Sequence, residues 1–388
     1  MDFAEGTEHE MLRRAAGEIA AGFGHDYYAD KARTGGKTTE LWNAIAAQGF
    51  LGVHLPEEYG GGGGGITELA VVCEEIAAQG CPLLLIVVSA AISAELIARF
   101  GTEAQKERWL PGLASGEKMV FAVTEPDAGS NTHNVSTTAV RDGDVYRVRG
   151  TKTFISGVDE APTMVVVTRT ATDESTGRAR LSLMIVDTDS PGLHRTHIPV
   201  ELRAPEKQFQ LFFDDVEVPA DRLLGTEGDG LRQVFYGLNP ERITGAAINT
   251  GIGRYALARA ARYANEREVW GEPIGRHQGV AHPLAEAKIE LELARLMMAK
   301  AAWAHDHERD RVVAGEAANM AKFAAAEAGL KCLDTAIQTH GGNGMASEYG
   351  LADLWGLVRL LRIAPVSREM VLNFIAQQSL GLPKSYSS

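Results

Sequence analysis

The chain has 388 residues, 45% hydrophobic and 23% charged, proportions of a folded globular protein that exclude disordered, collagenous and disulfide-rich classes. Its 38 basic and 51 acidic side chains leave a net charge of −13, the wrong sign for a nucleic-acid-binding face, although a local Arg can still hold a phosphate. At roughly 100–200 residues per domain, the length predicts two or three domains. Cys73, Cys81 and Cys332 form no C-x-x-C pair and read as buried thiols in a reducing cytoplasm. The N-terminal MDFAEGTEHE is acidic where a signal peptide is basic. The longest apolar stretch, Cys81 to Ala94, falls short of the roughly 20 residues that a membrane-spanning helix needs.

In chain order, residues 1–119 read as an all-α domain. Thr67 is placed to cap a helix whose apolar residues Leu69, Val72, Cys73 and Ile76 recur at helical spacing. A second helix is expected after Pro82, and a third through TEAQKERWL, stopped by Pro111-Gly112. The run Gly60 to Gly65 reads as a flexible surface loop, because no Lys-Ser/Thr follows it as in a phosphate loop. Residues 120–230 change texture. Short segments such as VYRVRG, TMVVVTRT and LSLMIVDT, separated by turn residues, predict a β-barrel or sandwich domain. Residues 231–388 are helical again, with long segments at 240–267, 279–307, 315–338 and about 367–378 that predict an antiparallel four-helix bundle. The fold class is α+β, in the order α, β, α.

Two segments carry chemistry at the first α-to-β boundary. FAVTEPDAGSN, Phe121 to Asn131, bends at Pro126 and Gly129 and offers the Thr124 and Ser130 hydroxyls beside free backbone N–H groups. Such a loop can read the polar edge of a ring or a phosphate. KTFISG then places Phe154, Ile155 and Ser156 on a strand. His305 and His307 form H-x-H, but about 200° apart on a helix they share no face, so no metal site is expected. His133 lies in a loop, where exposure is the ordinary reading.

Taken together, TEPDAGS and GTKTFISG resemble the acyl-CoA dehydrogenase family. HLPEEYGG, DDVEVPADRLLG, REVWGEPIGRHQ and QTHGGNGM extend that resemblance over most of the chain, in family order. The resemblance implies a helical domain, a β domain and a four-helix bundle, with FAD bound noncovalently in a homotetrameric dimer of dimers. It also implies an acyl-CoA substrate of fatty-acid metabolism and an electron-transfer flavoprotein as acceptor. Phe121, Val123, Thr124, Gly129 and Ser130 would line the flavin, with Ser130 also near substrate. Phe154 would pack on the isoalloxazine, flanked by Ile155, and Ser156 would reach flavin N5. Arg267, Trp270 and Gln278 would hold the FAD of a neighbouring subunit, and Gln338, Gly341 and Gly342 its adenosine part. Donors at the ring edge suit a reduced, anionic flavin, and a guanidinium suits a diphosphate.

The reaction needs a base. Most family members carry a Glu before Gly-Thr near the C-terminus. Here that stretch reads RLLRIAPVSREM, with Pro365 or a neighbour in place of the Glu, and Glu369 falls on the next helix. A minority, including isovaleryl-CoA and long-chain dehydrogenases, carries the Glu in an L-x-x-E-R segment. LNPERI matches it, which makes Glu241 the expected base, with Asn239 and Arg242 beside the substrate. Asn239 and Pro240 are expected to open a helix, where the helix dipole would oppose a raised Glu241 pKa. Two alternatives remain in the sequence: a flavin oxidase or monooxygenase on the same fold, and a non-catalytic acyl-thioester binder. The segment 201–213 departs from the family's Gly-x-Arg-x-Ser pattern.

Overall fold

The computed structural model describes residues 6–175, 177–307 and 311–385. Its first part is helical: α1 (Thr7–Thr34), α2 (Thr39–Ala46), α3 (Ile66–Ala78), a widened helical stretch at Ile86–Ala94 continuing into α4 (Glu95–Phe100), and α5 (Glu103–Ala114). Three local expectations change here. Thr67 lies inside the first turn of α3, and the cap comes from Asp306, far away in sequence. The Asp306 carboxylate accepts from the backbone N–H groups of Ile66 (2.8 Å) and Thr67 (2.9 Å). Pro111 does not stop α5, which runs to Ala114; capped by Thr102 and Gln105 and packed through Trp109, Leu110 and Leu113, it tolerates the lost donor. The Gly60–Gly65 run is not a flexible spacer. Gly61, Gly62, Gly63 and Gly64 donate to Pro56, Gly52, Leu55 and Val53, and a Cβ on Gly61 would lie 2.1 Å from the Leu55 carbonyl oxygen. Only glycine permits that approach.

The middle part holds β1 (Met119–Ala122), β2 (Thr138–Asp142), β3 (Val145–Ser156), β4 (Thr163–Thr172), β5 (Ala179–Asp187), β6 (Leu193–Ile198), β7 (Gln208–Pro219) and β8 (Leu223–Leu224). They form one sheet in the order β6-β7-β3-β2-β4-β5-β8, with β1 parallel to β4. Met164, Val165, Val166, Val167 and their β5 partners are fully buried on both faces, as a continuous Val-rich run requires. An apolar cluster containing Leu96, Trp109, Phe121, Val165, Ile185 and Val234 joins the sheet to both helical parts.

The last part consists of α6 (Gly230–Glu266), a β9–β10 hairpin (Glu268–Val269, Glu272–Pro273), α7 (Gln278–Asp306), α8 (Arg311–His340), α9 (Trp355–Leu360) and α10 (Arg368–Phe374). The α+β class and the α, β, α order expected from the sequence are those observed. The start of α6 differs. The helix opens at Gly230, so Asn239 and Pro240 lie mid-helix. Pro240 withholds one donor, from the Tyr236 carbonyl, but α6 is buried almost continuously from Arg242 to Gly253, and that packing outweighs one lost bond. Glu241 therefore sits several turns from the positive end of the helix dipole, and the expected electrostatic conflict is removed.

Candidate active site

The two sequence segments meet in the sheet. Thr124 follows β1 and its carbonyl accepts from the Thr153 N–H of β3 at 2.9 Å. The junction is locked from inside by an ion pair that the sequence reading did not single out. Lys152, with no exposed surface, donates to the Val123 carbonyl (2.9 Å) and to Glu125 Oε1 (2.8 Å). Glu125 also accepts from Ser136 N–H and Oγ and from Thr137 N–H. Burial would raise the Glu125 pKa, but Lys152 and these donors carry it down to about 2. Burial lowers Lys152 to about 8 against the pull of Glu125. Both residues stand inside the motifs themselves, yet a charge in a turn or strand ordinarily reads as solvated.

The lock aims Phe154 outward. The β3–β7 register slips between Lys152 and Ile155, and Phe154 occupies that bulge at φ 56° with 59% of its surface exposed. A strand aromatic is usually core; here the bulge turns it to solvent and the left-handed backbone is held by the flanking pairs. Ile155 beside it is buried, and so is Phe121, while Val123 and Thr124 are half-buried. Gly129 and Ser130 are exposed on the loop, as is His133. Ser156 donates its hydroxyl to Gln208 Oε1 at 3.0 Å, which makes Gln208 a second neighbour absent from the sequence reading. An exposed aromatic platform beside half-buried hydroxyls and backbone groups suits a planar, polar-edged ring such as isoalloxazine.

A second group gathers at the far end of α6. Arg267 N–H donates to the Tyr263 carbonyl at 2.8 Å, and Asn343 donates to the Tyr263 hydroxyl at 3.1 Å. His340 stacks on Tyr263 with 4.2 Å between ring centroids. Tyr263 thus ties the Arg267 connector to the loop after α8. Arg267, Gln278, Gln338, Gly341 and Gly342 are all exposed, and no atom stands within 4 Å of a Cβ built on Gly341 or Gly342. Trp270 tops the β9–β10 hairpin at φ 54° with 90% of its surface exposed. Tyr263 brings the Arg267 connector to the loop that follows Gln338, while Phe154 and Thr124 belong to the β part.

The third group is on α6. Glu241 is partly exposed as a residue, but its Oε2 is buried with no hydrogen-bond partner. Burial raises its pKa to about 8, with Arg242 and Lys322 opposing. Arg242 is buried, donates to Asn239 Oδ1 at 2.9 Å, and is lowered by burial to about 10. Gly245, one turn on, is buried, and a Cβ built on it would stand in ordinary contact with Leu361 Cδ2 at 3.6 Å. Leu361, just before the 362–367 stretch, therefore packs near α6 one turn from Glu241, while Glu369 is exposed on α10. A partly dehydrated carboxyl with a raised pKa and no hydrogen-bond partner at Oε2 suits a general base. His305 pairs with Glu95 at 3.7 Å, and His307 stacks on Trp303. Among the described residues no group of three or more His, Cys, Asp and Glu could hold a metal ion.

Known proteins agree with this architecture. Residues 6–117, 120–216 and 228–380 match the models of the acyl-CoA dehydrogenase N-terminal, middle and C-terminal domains. Acyl-CoA dehydrogenase FadE12 of Mycobacterium tuberculosis is 56% identical over 99% of both chains. Among solved structures, a glutaryl-coenzyme A dehydrogenase in complex with glutaryl-CoA is 32% identical, with TM-score 0.92 over 100% of this chain and 99% of that one. The FAD complex of PigA is 26% identical, with TM-score 0.91 over 98% and 100%. The chain belongs to the acyl-CoA dehydrogenase family.

Proposed function

We propose that the protein is an FAD-dependent acyl-CoA dehydrogenase that oxidises an acyl-CoA thioester to the trans-2-enoyl thioester, with Glu241 as base. As a member of this family it is an FAD-dependent oxidoreductase. The observation that carries the finer reading is the Glu241 carboxyl, buried at Oε2 without a partner and raised to about 8. In its charged form it is poised to take the α-proton, which the thioester acidifies. When bound, FAD supplies the acceptor for the β-hydrogen, taken as hydride at N5. Phe154 is the platform for the ring, and Thr124 and Ser156 bound its polar edges. Phe121 and Ile155 are buried and Val123 is half-buried, which suits a supporting role beside the ring; the exposure of Gly129 and Ser130 supports a loop open to ligand. Asn239 accepts from Arg242, which supports a shared role for the two residues beside the acyl group.

The exposed Arg267, Trp270, Gln278, Gln338, Gly341 and Gly342 support a cofactor shared with a second copy, Arg267 facing the diphosphate. An apolar stripe on α7, Ile289, Leu293 and Leu296, spaced i, i+4, i+7 and more than half exposed, supports further pairing into a dimer of dimers. An electron-transfer flavoprotein is the proposed acceptor. The cytoplasmic assignment rests on three buried, unpaired cysteines; among the described residues no helix is long and apolar enough to cross a membrane.

The test is anaerobic mixing of the yellow holoenzyme with a panel of acyl-CoA thioesters, followed by air. Loss of oxidised-flavin absorbance, a trans-2-enoyl product and slow reoxidation in air are expected. Binding without bleaching would establish a non-catalytic binder, and rapid reoxidation by oxygen an oxidase. FMN in place of FAD after denaturation would overturn the cofactor assignment.

A further inference from the structure

The segment that departs from the family's pattern ends against Ser156. Three consecutive residues at the entry to β7 grip their surroundings. Glu206, buried, accepts from the Leu84 N–H at 2.9 Å. The Lys207 carbonyl accepts from the Gly157 N–H at 2.9 Å. Gln208 retains 6% of its surface, and its Oε1 accepts from the Ser156 hydroxyl at 3.0 Å. Gln208 opens β7 directly opposite Ser156, the last residue of β3, and on its other side it pairs with Ile198 of β6. Opposed residues of an antiparallel pair stand on one face of the sheet, so the ladder sets this amide against this hydroxyl.

A serine hydroxyl has one proton and two lone pairs. Here the proton goes to Gln208 Oε1. Toward any further partner the Ser156 oxygen is then an acceptor. A hydroxyl without that commitment is free to turn and donate. The difference matters beside a flavin, because reduction places a hydrogen on N5 and turns an acceptor on the ring edge into an N–H donor. An acceptor fixed at that edge favours the reduced ring, and a donor favours the oxidised one.

Resting on Ser156 as a neighbour of the ring's polar edge, we propose that Gln208 is a positioning residue: it takes the Ser156 proton, presents the Ser156 oxygen to the cofactor as an acceptor, and so favours reduced flavin. The backbone on either side of the contact is pinned, through Gly157 to Lys207 and through the β3–β7 ladder, so the amide stays in place as the cofactor changes state. The two residues lie 52 positions apart, which hides the pairing from motif reading.

The test is the midpoint potential of bound FAD, measured by equilibration with redox dyes in wild type, Gln208→Leu, Ser156→Ala and the double variant. Leucine removes the acceptor and adds no charge. FAD content and melting temperature are the folding controls. In Gln208→Leu the ratio of reduced to oxidised flavin at a fixed potential should fall about tenfold, a shift of about −30 mV for a two-electron couple. Ser156→Ala should also lower the potential, and adding Gln208→Leu to it should change nothing further, because the amide acts through the hydroxyl. An unmoved potential in a normally loaded Gln208→Leu, a Gln208→Leu shift of equal size with and without Ser156, or a Gln208→Leu variant that binds no FAD would each overturn the proposal, the last by making the amide structural. Ser156→Ala separates the two ideas. An unchanged potential there removes Ser156 from the ring edge and the proposal with it, whereas a shifted potential beside an unmoved Gln208→Leu contradicts Gln208 alone.

Discussion

At the scale of single residues, Glu241 shows what burial does to a carboxyl. Its folded-state pKa of about 8 stands above the ordinary 4.5, so the folded protein holds a proton that the unfolded chain has released. The sign follows: relative to low pH, this group's contribution to stability is intact below 4.5 and is lost as pH rises through about 8. Glu241→Gln removes the penalty. Its melting temperature relative to wild type should climb across that window and show no such climb at lower pH; a pH-independent difference would contradict the buried, raised carboxyl. LNPERI made this residue readable. Its environment was not, because Pro240 and Asn239 look like a helix start, whereas tertiary packing carries α6 back to Gly230. Lys322 left no signal at all, since a lysine in an alanine-rich helix normally faces water.

At the scale of elements, β3 and the turn after β1 act as one unit. The turn residues Pro126, Gly129 and Ser130 and the strand aromatic Phe154 were legible as motifs. The bulge that exposes Phe154 was not, because it depends on pairing with β7 more than fifty residues away. Glu125 and Lys152 are both essentially buried. Lys152→Met would leave a buried carboxylate without its cation, at a cost of roughly 3–5 kcal/mol. Denaturant unfolding of the apoprotein should show that loss, and FAD loading should fall with it. The double change Lys152→Met with Glu125→Gln should recover part of the stability. Wild-type stability in the single variant would mean that the ion pair does not hold the two segments together. Asp306 shows the same reach: apolar spacing marks α3, but its cap comes from the end of α7, 240 positions away from Ile66.

At the scale of the whole molecule, the α, β, α order follows from texture alone: alternating β-branched segments between two alanine-rich helical regions. What texture does not give is which surfaces stay bare in one chain. Trp270 and the α7 stripe expose apolar area, which supports the proposed pairing with a second copy. Leu293→Glu should shift the mass measured by light scattering toward a smaller species, with activity following FAD occupancy. An unchanged mass would remove the α7 stripe from the proposed assembly. A fully active, FAD-saturated monomer would remove Arg267 and Gln338 from any shared site.

The central claim is that Glu241 removes the α-proton, and rapid anaerobic mixing of acyl-CoA with Glu241→Gln measures it directly. Glutamine keeps the size of the side chain and cannot take the proton, so the variant should retain FAD and bind the thioester while flavin reduction falls at least about a hundredfold. Glu369→Gln, at the exposed acid on α10, should reduce at close to the wild-type rate. Near-normal reduction in Glu241→Gln together with a loss in Glu369→Gln would contradict the account.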